Sequence, residues 1–155
     1  MTVASAPMAG TIDLDQLVAG AGDAIMVCDA RGAIVLWNKA SERIFGFTPD
    51  QALGQSLDLI IPERQRNRHW EGYHKTMETA VTKYGADLLR VPALHRDGHT
   101  LSIAFTVSIL KSAGGKVEGI VAIVRDETIR FGEERNLRKR VMELEAQLSA
   151  CKTPT

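Results

Sequence analysis

Cysteine is scarce in this sequence. Only Cys28 and Cys151 carry thiols, with no CxxC pair and no Cys/His spacing suited to zinc. That excludes a disulfide framework and a zinc finger. Cys28 lies inside an apolar run and reads as a small core residue. Net charge is lacking too: 19 basic and 19 acidic residues cancel, so no global field draws the chain to nucleic acid or to an anionic membrane. Basic residues do gather at Arg64, Arg66 and Arg68, and again at Arg135, Arg138, Lys139 and Arg140. The second group is interleaved with Glu133, Glu134, Glu143 and Glu145, which is the pattern of a solvated helix face. No apolar run is long enough to span a bilayer, and residues 1–10 lack the basic start and long apolar segment of a secretory signal. A cytoplasmic protein with neither a membrane nor a nucleic-acid partner is expected. GxSxG, the P-loop, GxGxxG and HExxH are all missing. No enzyme is expected, and 155 residues suit a single domain.

What is present is a succession of short, well-punctuated elements. Residues 1–10 read as disordered. Residues 11–20 read as an amphipathic N-terminal helix, apolar at Ile12, Leu14, Leu17 and Val18. Ala24–Asp29 and Ala33–Trp37 form a hairpin about Arg31-Gly32. Asn38 caps a helix that runs to Phe45 and ends at Gly46. Thr48-Pro49-Asp50-Gln51 carries a capping box with proline at the first helical position, and Gly54 stops that helix. The stretch from Pro62 to Tyr84 reads as one long helix closed by Gly85. Three strands follow: Asp87–Leu94, Thr100–Lys111 and Val117–Arg125, with turns at Asp97-Gly98 and Gly114-Gly115. The middle strand alternates Leu101, Ile103, Phe105, Val107 and Ile109 with smaller or polar residues, as a sheet with one buried face requires. Pro92 cannot donate to a ladder, so its strand belongs at a sheet edge. The economical fold is α+β, a five-stranded antiparallel sheet with helices on one face.

That element order, with the turns Asp29-Ala-Arg-Gly32 and His95-Arg-Asp-Gly98 and the closing Arg125-Asp126-Glu127-Thr128, resembles a PAS domain over roughly residues 14–130. The resemblance implies strand order 2-1-5-4-3, with the proline-bearing strand at the edge. Within the family the chain is similar to the haem-binding PAS domain of FixL-type oxygen-sensor kinases. The likeness rests on Gly22-Asp-Ala-Ile-Met-Val, Ala40-Ser-Glu-Arg-Ile-Phe-Gly-Phe and Ile61-Pro-Glu-Arg-Gln-Arg-Asn-Arg-His69, and it runs without a gap from about Ala21 to Ser108. In those sensors the proximal haem histidine lies seven residues after the proline of the Pro-Glu helix, here His69.

The resemblance therefore implies b-type haem held by His69 and a diatomic gas (O2, CO or NO) as its ligand. Tyr73 lies beyond His69 on the same helix, Lys75 and Lys83 fall at places for propionate partners, and Leu89, Ile103, Phe105, Val107, Ile120 and Ala122 at pocket-lining places. The arginine that contacts bound oxygen in the family is replaced by Leu89; Arg90, one residue along, should point to the other face. The expectation is weak discrimination in favour of oxygen, with CO or NO still bound. From the residues alone, a helical histidine is more often filler than ligand. His74 is the rival to His69, about 140° further round the helix. His95 and His99 bracket a turn and read as solvated. A flavin photosensor of this fold needs a cysteine in the region Ser56 to Arg68, which has none.

Residues 21–126 are thus the sensor domain, 127–150 a C-terminal signalling helix and 151–155 a tail. Asp126 and Thr128 read as caps of that helix. Leu137, Val141, Leu144, Leu148 and Cys151 are spaced as a heptad seam, with Arg140 and Glu145 at positions that pair between parallel chains. A homodimer through the C-terminal and N-terminal helices is expected, with a downstream signalling protein as a further partner. The alternative is a cofactor-free PAS module that dimerises, binds a protein or holds a small apolar ligand.

Overall fold

The buried amide of Asn38 fixes where the first half of the chain turns. In the computed structural model, which describes residues 11–82 and 87–151, its Oδ1 accepts from the N–H groups of Ile25 (3.0 Å) and Ser41 (2.9 Å) and from Ser41 Oγ (2.8 Å). Its Nδ2 donates to the carbonyls of Val18 and Asp23, each at 3.1 Å. One side chain thereby caps helix α2 (Lys39–Phe45), starts strand β1 (Ala24–Asp29) and holds the end of helix α1 (Leu14–Gly20). A buried polar group survives only when its bonds are made, and here they are.

β1 and β2 (Ile34–Trp37) form the expected hairpin. α3 (Pro49–Ala52) carries the Thr48/Gln51 capping box with Pro49 in its first turn. A 3-10 turn at Leu57–Leu59 leads into α4 (Glu63–Thr79). β3 (Leu89–Leu94), β4 (Thr100–Lys111) and β5 (Val117–Asp126) complete an antiparallel sheet in the order β2-β1-β5-β4-β3. The fold is α+β with helices on one face, and Pro92 lies on the edge strand opposite Ser102.

Some boundaries moved. α1 begins at Leu14, with Asp13 accepting from the Gln16 N–H as its cap. α4 ends at Thr79 rather than Tyr84, and Ala80 closes it in the left-handed conformation at φ 54°. Thr76 and Thr79 turn their hydroxyls back onto the carbonyls of Gly72 and Lys75, a bond that competes with helix propagation. Lys83, Tyr84 and Gly85, like the expected disordered start and the tail beyond Cys151, lie outside the described residues.

β4 and β5 place Leu101, Ile103, Phe105, Val107, Val124, Ala122 and Ile120 on the inner face with Ala24, Met26 and Cys28 of β1. The core joins this face to Ile34, Trp37, Phe45, Ala52, Ile60 and Tyr73. α2 packs directly on β1, whereas α4 stands further off and meets the sheet through long side chains. α5 (Thr128–Cys151) leaves from the end of β5, where Asp126 Oδ1 accepts from the Thr128 N–H (2.9 Å) and Thr128 Oγ1 accepts from the Ser102 N–H (3.0 Å). Among the described residues, no helix is long and apolar enough to cross a membrane.

Candidate functional site on helix α4 and the inner sheet

α4 is clamped to the β1–β2 hairpin by two aromatic side chains. Trp70 donates its Nε1–H to Asp58 Oδ1 (2.8 Å), and its ring lies on the hairpin turn at Gly32. Gly32 has φ +83°, and a Cβ there would sit 2.3 Å from the Trp70 ring, so two separate demands select glycine. Tyr73, one turn on, is buried and donates its hydroxyl to the Asp29 carbonyl. Burial raises the pKa of that phenol above its ordinary value, so it remains a donor. Arg66 donates to the carbonyls of Ile61 and Asp58 at 3.1 Å each, fixing the start of the helix.

His69 sits between these anchors. Its ring is half-buried, with centroids 4.8 Å from Trp70 and 5.9 Å from Tyr73. Among the described residues its Nδ1 is the one buried side-chain polar atom without a hydrogen-bond partner. Burial lowers its pKa, against the opposing pull of Asp58, so the ring is held neutral. A neutral imidazole with an unpaired buried nitrogen has the chemistry of a metal ligand. His74 is exposed, beside the other side of Trp70, and Lys75 is exposed as well.

The inner sheet face is uneven. Ala24, Met26, Cys28, Val124, Leu101 and Ile103 are buried, but Leu89, Phe105, Val107, Ile120 and Ala122 are only half-buried. The half-buried residues form one patch: Leu89 pairs with Phe105, Val107 with Ala122, and Cys28 with Ile120. The Tyr73 hydroxyl reaches Asp29, beside Cys28, so α4 crosses near this patch. Leu89 shares the inner face, whereas Arg90 points outward to Glu127 at 3.2 Å, and Glu127 also takes Arg130 at 2.8 Å. Ten of the eleven residues singled out for haem, with His74 counted, lie on α4 or this face. Of these, Ile103 is sealed, Tyr73 is tied to the hairpin and His74 and Lys75 face solvent; Lys83 falls outside the described residues, and Leu89 stands at the β3 edge.

Other features escaped the sequence. The Trp70–Asp58 and Tyr73–Asp29 links carry no local signal, since 12 and 44 residues separate the partners. His95 and His99, which read as solvated, converge on Asp97. Two hollows of about 580 and 210 Å3 lie on the outer sheet face beside Ile123 and not on the inner face. On α5 no residue is buried. Leu137, Val141, Leu144 and Leu148 are exposed in this single chain, and Arg140 pairs with Glu143 of its own helix at 3.3 Å.

Comparison with known proteins follows this geometry. The PAS fold family matches residues 12–126. The Sensor protein FixL of Bradyrhizobium diazoefficiens is 31% identical over 127 residues, covering 81% of this chain and 24% of that one. The Oxygen sensor protein DosP of Escherichia coli is 23% identical over 129 residues, covering 83% and 15%. A solved PAS domain from Colwellia psychrerythraea superposes with a TM-score of 0.65 at 27% identity, covering 74% of this chain and 94% of that one. The chain thus spans no more than about a quarter of the length of these curated relatives.

Proposed function

Since the chain belongs to the PAS-fold family, whose domains are sensory and non-catalytic modules, we propose that it senses a diatomic gas through a b-type haem held by His69. The observation that carries this reading is the unpaired, buried Nδ1 of a neutral His69. The half-buried apolar patch of Leu89, Phe105, Val107, Ile120 and Ala122 supports it, because a flat apolar ring needs an apolar wall, and Phe105, Ile120 and Ala122 extend that wall from the core. The printed names of FixL and DosP, a sensor and an oxygen sensor, point the same way.

Bound haem would supply an iron with an open position for the gas. The chain's own residues would do the rest. His69 presents a neutral imidazole, kept in place by Trp70 and Tyr73. Lys75 offers an ammonium for a propionate, and Lys83 is proposed for the same role. Leu89, with Arg90 turned outward onto Glu127, offers no hydrogen-bond donor on the inner side, so CO and NO should bind better relative to O2 than in a sensor with a donor there. A shift of α4 would reach Asp29 and Gly32, and the β5–α5 junction at Asp126–Thr128 would carry movement of the sheet into α5. We further propose a parallel homodimer through α5 and α1, with a downstream protein reading the α5 geometry.

A second reading is favoured by the exposed seam on α5: a cofactor-free module that dimerises or holds a small apolar ligand. Absorption spectra of protein produced with a haem precursor separate the two. A Soret band that disappears in His69→Ala and survives in His74→Ala supports the haem reading. A colourless protein that rejects added hemin overturns it.

A further inference from the structure

The β3–β4 turn gathers two histidines and an aspartate outside helix α4. His95, Arg96, Asp97 and Gly98 make a tight turn, closed by the Gly98 N–H to the His95 carbonyl (2.9 Å) and the His95 N–H to the His99 carbonyl (3.0 Å). The turn stacks the two imidazoles with centroids 4.5 Å apart and planes inclined by 25°. Both rings aim Nδ1 at one carboxylate oxygen: Asp97 Oδ1 lies 3.0 Å from His95 and in still closer contact with His99. The three potential ligand atoms lie within 4.8 Å of one another.

The arrangement is held from outside the turn. The Arg96 N–H donates to the Phe45 carbonyl at the end of α2 (2.9 Å). Gly46, the left-handed cap of that helix, lies against the far edge of the His95 ring: a Cβ there would be 2.6 Å from Nε2. The His95 ring therefore has its Nε2 edge against α2 and its Nδ1 turned to the carboxylate. That Nδ1 lies 3.0 Å from Asp97 Oδ1 and 3.2 Å from the Asp97 backbone nitrogen, so the ring is fixed against this one residue. A proton on either imidazole satisfies these contacts, and a metal ion can take the place of that proton.

We propose that His95, Asp97 and His99 bind a divalent late first-row transition-metal ion, Zn2+ foremost, with water completing the coordination. Two imidazoles and one carboxylate suit such an ion, whereas Mg2+ and Ca2+ call for oxygen ligands. Metal–ligand distances of about 2.0–2.2 Å need only small adjustments of Asp97 and His99, which are more than half exposed and free to give. A bound ion would lock the β3–β4 turn, and through Arg96 and Gly46 the end of α2 with it.

The test is calorimetric titration of the metal-free, haem-free full chain with zinc chloride. One ion per chain is expected, with thermal unfolding moved upward by zinc. Affinity should fall at least tenfold in His99→Ala, a solvent-facing change that leaves the packing of His95 intact, and similarly in Asp97→Asn. His69→Ala, His74→Ala and Cys151→Ser should leave zinc binding unchanged, so the result stands apart from the fate of the haem reading. Zinc binding that persists in His99→Ala and Asp97→Asn, or that is lost in His74→Ala or Cys151→Ser, would overturn the proposal. So would the absence of stoichiometric binding.

Discussion

The two halves of the inner sheet face differ in one respect: one is sealed and the other is not. Around β1, the side chains of Ala24, Met26, Cys28, Ile34, Trp37, Phe45 and Ala52 are buried almost completely. At the far ends of β3, β4 and β5, Leu89, Phe105, Val107, Ile120 and Ala122 are equally apolar yet keep part of their surface in water. Short helices α2 and α3 lie close to β1 and β2, and α4 reaches the same hairpin through Trp70 and Tyr73. The first half is expected to carry most of the stability, and under the haem reading the ligand would meet the second.

The largest effect expected from this division is at Phe45. Truncation to alanine empties a fully buried site and should cost about 3–5 kcal/mol in urea unfolding. Phe105→Ala, in the half-open patch, should cost about half as much, since its ring is already partly hydrated. Equal losses would erase the distinction between the halves. Next comes Asn38→Ala, which leaves the Val18 and Asp23 carbonyls and the Ile25 and Ser41 N–H groups without their side-chain partner. A loss of about 2–3 kcal/mol is expected, with earlier melting of α1 seen by hydrogen exchange.

Much of the sealed half was legible in the sequence, because its signals are local. Asn38 sits at a helix start, Thr48 and Gln51 form a box three residues apart, and the alternation along β4 fixes its buried face. Pro92 identified the edge strand for the same reason. The half-open patch was legible only as a row of apolar residues. Whether such a row is covered depends on contacts between residues distant in sequence, as Trp70 reaching Asp58 and Tyr73 reaching Asp29 illustrate. The C-terminal end of α4 was misread because helix propensity extended past Thr79, where threonine hydroxyls turn back on the helix. His95 and His99 were read as solvated, which holds for exposed His99, but their stacking about Asp97 depends on the turn geometry and on the end of α2 and left no local signal.

Cys28 offers a smaller effect with a defined sign. Burial, followed by the charge of Asp29, pushes its thiol up from 9.0 to about 12. The folded chain holds the proton more tightly than the unfolded chain. The contribution is therefore complete below pH 9 and is lost as pH rises towards 12. Alkaline destabilisation in this window should be weaker in Cys28→Ala, measured against the same variant at pH 7. In the native chain a thiol reagent at neutral pH should modify exposed Cys151 and spare Cys28, and denaturant should release the second thiol.

The smallest stability change should come from the substitution that says most about function. Ala122→Phe adds a ring within the half-open patch, beside Val107 and Met26. In a sealed core such overpacking costs about 1–3 kcal/mol, and Ala24→Phe, at a fully buried position two residues along the same inner surface, should show that cost or more. Ala122→Phe should instead unfold within about 1 kcal/mol of the unmodified chain, because the position is only half-buried and an added ring there need not displace fully buried neighbours. The same ring should abolish hemin uptake while leaving His69 in place. A variant that loses as much stability as Ala24→Phe means that the patch is closed in solution. One that keeps both stability and hemin uptake places the cofactor elsewhere and separates the neutral imidazole of His69 from the wall opposite it.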